Sequence, residues 1–72
     1  MKLEYDPQID AAYISLADEI GSGAAATTVP VDPEEIDGEI NLDFDQDGRL
    51  IGIEIQSASR FLPPSLLASA GS

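Results

Sequence analysis

The stretch Ile40–Ile55, INLDFDQDGRLIGIEI, decides the fold because it places one turn between two segments of alternating apolar residues. Asp47 and Gly48 are typical of the central positions of a type I′ turn, where both residues need positive φ. The turn predicts a β-hairpin and its register. The predicted pairs are Gln46–Arg49, Asp45–Leu50, Phe44–Ile51, Asp43–Gly52, Leu42–Ile53, Asn41–Glu54 and Ile40–Ile55. A slip of one residue would expose the apolar face, so the pattern favours this register strongly.

The same hairpin carries an acidic cluster that fits the calcium-loop pattern D-x-D-x-D-G-x5-E. Its carboxylates are Asp43, Asp45, Asp47 and Glu54, and Gly48 supplies the sharp turn. An EF-hand also needs a helix on each side, whereas both flanks here alternate with a period of two. Two interpretations stay open. Either these four carboxylates bind calcium or another divalent cation weakly, or they form a solvated acidic face around a tight turn, which is the favoured interpretation.

Two parts of the chain resemble the small bacterial domain of unknown function 2283 family. The resemblance covers roughly residues 1 to 60 and rests on KLEYDPQIDAAYISLAD, on EINLDFDQDGRLIGIEI and on the SAS that follows. The residues that carry it are Tyr5, Asp6, Asp10, Ala11, Tyr13, Ile14, Asp43, Asp45, Asp47, Gly48, Gly52, Ile53, Glu54 and Ile55. It implies a compact, mostly β domain. Members are often suspected to be partners in toxin–antitoxin gene pairs, and no activity or catalytic residue is implied.

Length and composition indicate one small domain. A chain of 72 residues with 43% hydrophobic residues is too apolar for a disordered tail, yet it is close to the size at which a single core is marginal. We therefore expect added burial from a homo-oligomer, with a dimer as the simplest form. The absence of cysteine fits a reducing compartment, and no apolar run is long enough to span a membrane. The expected location is the cytoplasm.

The charge of the chain restricts its partners. Three Lys and Arg residues against fourteen Asp and Glu residues give a formal charge of −11. Nucleic acids and anionic membrane surfaces would be repelled, whereas a small basic protein would be attracted. The alternative is that the charge only keeps a small domain soluble.

The remaining segments complete the predicted fold. Strands are expected over 2–6, 11–17 and 27–31, with a Gly-Ser-Ala break over 20–26, although a helix is the alternative for the second segment. Pro63 and Pro64 predict a short helix through residue 70, with Gly71 near its C-cap. The predicted fold class is α+β and mostly β, an antiparallel sheet of about four strands with a short C-terminal helix. Residues 1–62 would form the single domain, and residues 63–72 a helix or tail packing on it.

No catalytic or cofactor-binding residue is predicted. The chain has no histidine and no cysteine, so its hydroxyl groups lack a base of the usual kind. Paired carboxylates are present, but acid–base work needs a concave site that separates their pKa values. We therefore do not expect an enzyme. The leading hypothesis is an acidic protein-binding module, an antitoxin-like subunit that binds a small basic protein. The alternatives are a cation-binding acidic hairpin and a purely self-associating structural domain.

Overall fold

A computed structural model describes residues 1–17, 25–32 and 34–70 of the chain. It contains a five-stranded antiparallel sheet in the order β1-β2-β5-β4-β3, followed by two short helices. The elements are β1 (Lys2–Asp6), β2 (Ala11–Ser15), β3 (Thr27–Pro30), β4 (Ile40–Phe44), β5 (Leu50–Gln56), α1 (Ala58–Phe61) and α2 (Pro64–Ser69). The predicted class, a mostly β antiparallel fold with a C-terminal helix, is confirmed.

One face of the sheet carries the core. Alternation along each strand points Ala12 and Ile55 to the same side, and each is 3% exposed. Ala58, at the start of α1, packs on them and is fully buried. The partly buried side chains that surround these three are Leu3, Tyr5, Ile14, Ile40, Ile53, Phe61, Leu62 and Leu67. The core is therefore mostly aliphatic, with Tyr5 and Phe61 as its aromatic members.

The two helices lie on this apolar face because the chain reverses direction directly after β5. Ser57 takes a left-handed conformation, with φ 54, and the N–H of Ala58 then donates to the carbonyl of Asp10 at 2.9 Å. Pro63 and Pro64 stop α1 from continuing and open α2, which is the predicted C-terminal helix. α1 was not predicted, since four residues carry too little periodicity to recognise.

The hairpin differs from its predicted form at the turn. Asp47 does not have positive φ, and only Gly48 does, at 79°. The N–H of Gly48 donates to the carbonyl of Asp45, and the N–H of Asp45 to the carbonyl of Arg49, so the loop has three residues rather than two. The predicted pairs Gln46–Arg49, Asp45–Leu50 and Phe44–Ile51 are therefore wrong.

A β-bulge restores the predicted register beyond the turn. Phe44 pairs with Leu50 and Asp43 with Gly52, so Ile51 is the extra residue between them. The bulge compensates for the odd loop length, and the other four pairs are confirmed. They are Asp43–Gly52, Leu42–Ile53, Asn41–Glu54 and Ile40–Ile55. The apolar pattern thus decided the register of the strands, and the turn adapted to it.

The other predicted segments hold with shorter ends. The second segment is a strand, not a helix, and ends at Ser15, while the third ends at Pro30. The predicted break over 20–26 falls mostly outside the described residues, and so does Gly71. Among the residues that are described, no helix has the length and apolar character needed to cross a membrane.

Candidate functional site

The candidate site is the face of the sheet opposite the helices, here called the open face. Cross-strand register places its side chains in rows, because directly paired residues point to the same side. The members of the open face are Lys2, Glu4, Asp6, Ala11, Tyr13, Ser15, Thr28, Pro30, Asn41, Asp43, Gly52, Glu54 and Gln56. Neither described helix packs on this face. It is acidic, since Lys2 is its single basic side chain.

Tyr13 lies across the centre of the open face and connects three strands. Its ring covers Gly52, where an added Cβ would lie 2.5 Å from Cζ of the ring. Its hydroxyl donates to Oδ2 of Asp43 at 2.8 Å, and the Thr28 hydroxyl donates to Oδ1 of the same carboxylate at 2.7 Å. Burial and then the bond to Asp43 raise the pKa of Tyr13 to about 12. The phenol of Tyr13 therefore keeps its proton to higher pH than an ordinary tyrosine does, and it can donate this hydrogen bond to Asp43.

A shallow groove runs beside Tyr13 at the β1 side of the open face. Its volume is about 340 Å³, and the lining includes Glu4, Asp6, Ile9, Tyr13, Glu54 and Gln56. Ile9 projects from the β1–β2 turn and is 67% exposed. Carboxylates beside an exposed apolar side chain suit the aliphatic stem and charged head of a lysine or arginine.

The four predicted cation ligands do not share one location. Asp43 is held by Tyr13 and Thr28 on the sheet, and Glu54 accepts a hydrogen bond from Asn41 at 3.2 Å. Asp45 and Asp47 belong to the hairpin loop instead. Among the described residues there is no group of three or more carboxylates arranged to hold a metal ion.

Asp45 has a structural task in the loop. Its Oδ1 accepts hydrogen bonds from the N–H groups of Asp47 and Arg49, both at 2.9 Å, which fixes the turn. Asp47 is exposed and lies 3.7 Å from Arg49. Cation binding by this cluster stays an untested prediction, and this geometry offers it no added support.

Asp10 organises a second cluster, which the sequence did not reveal as such. It has φ 52 at the end of the β1–β2 turn, and its carboxylate accepts from Ser59 N–H at 3.0 Å, Ser59 Oγ at 2.7 Å and Tyr5 hydroxyl at 2.8 Å. The bonds from Ser59 and Tyr5 lower the pKa of Asp10, and the bond to Asp10 raises the pKa of Tyr5. Since 49 positions separate Asp10 from Ser59, only the folded chain shows that this cluster fastens α1 to the sheet.

Fold and contacts define a small antiparallel β domain with one face covered by helices and one acidic face left open. The family model described as Protein of unknown function (DUF2283) matches residues 2–59, and the chain belongs to this family. The match contains the whole sheet and the first half of α1, and α2 lies beyond it. No curated protein and no solved structure matches the chain.

Proposed function

We propose that this protein is an acidic binding module whose open face docks a small basic protein, in the manner of an antitoxin subunit. The observation that carries the proposal is the asymmetry of the sheet. One face is packed by helices, and the other presents Glu4, Asp6 and Glu54 around a groove with no described helix over it. Opposite charge steers such partners together and sets their orientation.

The distribution of basic residues supports this orientation. Lys2 lies 3.3 Å from Glu4 at the margin of the open face, whereas Arg49 belongs to the hairpin turn and Arg60 to α1, where it pairs with Asp37 at 2.7 Å. The chain therefore has few cations of its own to neutralise the face. A partner that brings lysine or arginine side chains would supply them, and such contacts weaken as salt rises.

The open face is also prepared to bind without rearrangement. The Tyr13–Asp43–Thr28 bonds connect β2, β4 and β3 across the sheet, so the surface keeps its shape when free. A preformed surface loses less conformational entropy on association. The role is non-catalytic in this proposal, and its setting is the bacterial cytoplasm, where cysteine-free small domains need no disulfide.

A pull-down from the native host tests the proposal, with the tagged protein as bait at mild salt and native mass spectrometry as the readout. We expect a small basic protein at fixed stoichiometry, lost at high salt. The double variant Glu4→Lys/Glu39→Lys reverses charge on and beside the open face and should lose the partner. Glu35→Lys is the control, because Glu35 is exposed in the loop between β3 and β4. The proposal would be contradicted if neither the wild type nor Glu35→Lys captured a basic protein, or if the Glu4→Lys/Glu39→Lys variant captured it as well as the wild type does.

A captured partner then permits a functional test. If the protein acts as an antitoxin-like subunit, expression of the basic partner alone should slow growth of the host, and co-expression of the acidic chain should restore it. The Glu4→Lys/Glu39→Lys variant should fail to restore growth. Normal growth with the partner alone would remove the antitoxin interpretation and leave the binding module.

A further inference from the structure

The two edges of the sheet differ in what they can pair with. β3, at one edge, contains four residues, carries no charge and ends at Pro30, which has no N–H to donate. β1, at the other edge, contains five residues without proline, and its backbone pairs with β2 on one side only. β1 therefore leaves a longer row of main-chain donors and acceptors open to another strand.

We infer that β1 pairs antiparallel with β1 of a second copy of this chain, which joins two sheets into one. The sequence of the strand, KLEYD, is complementary to itself in this direction. When the dyad passes through Glu4, Lys2 lies opposite Asp6 of the second copy and Leu3 lies opposite Tyr5, so two opposite-charge pairs form against one like-charge pair between the two Glu4 side chains. When it passes through Leu3, Lys2 lies opposite Glu4. In both registers, opposite-charge pairs outnumber like-charge pairs, and apolar residues remain on the covered face.

The neighbouring registers are disfavoured by the same charges. A dyad at Lys2 would align the two lysines, and a dyad at Tyr5 would align Glu4 with Asp6 twice; neither register forms an opposite-charge pair within the strand. Like charges directly opposite on adjacent strands are destabilising. The registers with the dyad at Glu4 or at Leu3 instead form an ion pair between Lys2 and an acidic residue of the other copy. The pair occurs twice in each dimer, because the interface has twofold symmetry. The complementarity thus selects a second copy as the occupant of this edge.

The continuation of the core also favours this pairing. Leu3 and Tyr5 are partly buried beside Ala12 and Ile55, at the margin of the core. A second β1 would extend that apolar row, and Met1, which is 88% exposed, would gain a neighbouring chain. Edge pairing alone buries little surface, and two chains of charge −11 repel one another. The dimer is therefore weak and depends on concentration.

Sedimentation equilibrium of the purified full chain tests this inference, over concentrations up to about 1 mM at moderate salt. We expect a monomer–dimer equilibrium whose dissociation constant rises about tenfold in Lys2→Glu, which opposes acids in both registers. Arg49→Glu is the matched control, since it makes the same charge change in the exposed hairpin turn. Its dissociation constant should stay within about twofold of the wild-type value.

Two further variants check the pairing from the acidic side. Glu4→Gln and Asp6→Asn each remove one charge, and asparagine can still accept the bond that Asp6 accepts from the N–H of Gln8. Weakening by either one supports pairing through β1 and identifies its register. A monomer at every concentration, equal effects of Lys2→Glu and Arg49→Glu, or no weakening by either acidic variant would overturn the inference. The basic-partner proposal is unaffected, because this experiment contains one purified chain.

Discussion

Replacing Gly52 by alanine should destabilise the protein through Tyr13 rather than through the backbone. An alanine Cβ at this position would lie 2.5 Å from Cζ of the Tyr13 ring and closer still to its hydroxyl oxygen. Such contacts are not tolerated, so the ring must move. Since its far end is the part that collides, the least costly response is rotation of the side chain away from the sheet.

The expected loss of stability is set by the interactions that the Tyr13 side chain loses when it rotates. Loss of the hydrogen bond to Asp43 costs about 1 kcal/mol at a partly exposed site, and renewed exposure of part of the ring costs up to about 1 kcal/mol. Alanine is favoured over glycine within a strand by about 0.5 kcal/mol. Gly52→Ala should therefore lower the free energy of unfolding by about 1 kcal/mol, which in a domain this small shifts the urea midpoint by about 1 M.

A double-mutant cycle separates this mechanism from a backbone effect. In the Tyr13→Ala background the collision is absent, and Gly52→Ala should then be neutral or stabilising by about 0.5 kcal/mol, which gives a coupling of about 1.5 kcal/mol. Urea unfolding followed by circular dichroism measures the four proteins. In a Tyr5→Phe background, absorbance titration should also show the pKa of Tyr13 falling from about 12 toward its ordinary value in Gly52→Ala. Equal destabilisation in both backgrounds would refute the reasoning.

Four further outcomes are expected. The lowered pKa of Asp10 contributes stability that is fully present above its ordinary pKa of 3.8 and is lost as the pH falls through the lower pKa of the folded state. As the pH is lowered below 3.8, the wild type should therefore lose more unfolding free energy than Asp10→Asn. Ser57→Gly should stabilise by about 0.5–1 kcal/mol in urea unfolding, because glycine accepts positive φ. Ile55→Ala should cost about 2–4 kcal/mol in the same assay. About 5 mM calcium should leave the midpoint of thermal unfolding unchanged in both the wild type and Asp45→Asn, since Asp45 already accepts hydrogen bonds from two N–H groups. A rise of the midpoint in the wild type alone would favour the cation hypothesis.

The sequence predicted the parts of the fold that depend on local pattern. Alternation of apolar residues in 40–55 was enough to fix the four hairpin pairs beyond the bulge, because a shift by one residue would have turned the apolar face outward. The turn was predicted wrongly, since Asp-Gly suits a two-residue loop and a three-residue loop equally well. The capping role of Asp45, which accepts from two N–H groups, favours the longer loop.

The contacts that the sequence did not predict depend on which strands are neighbours in the sheet. Gly52 in a strand signals a close approach, but nothing local says that the ring of Tyr13 makes it. That contact exists because β2 lies beside β5, 30 or more positions away along the chain. The acidic residues of the open face were each visible in the sequence, whereas their gathering around one groove follows from strand order alone.

The arrangement of the open face also determines which variants can map a binding surface. Asp43 accepts hydrogen bonds from Tyr13 and Thr28, so changing it would alter the shape of the sheet as well as its charge. Glu4 belongs to an edge strand, and its side chain is exposed and forms a weak surface ion pair with Lys2. A loss of binding in Glu4→Lys with an unchanged urea midpoint would therefore report on the surface itself, while the same loss in Asp43→Asn would not distinguish binding from folding.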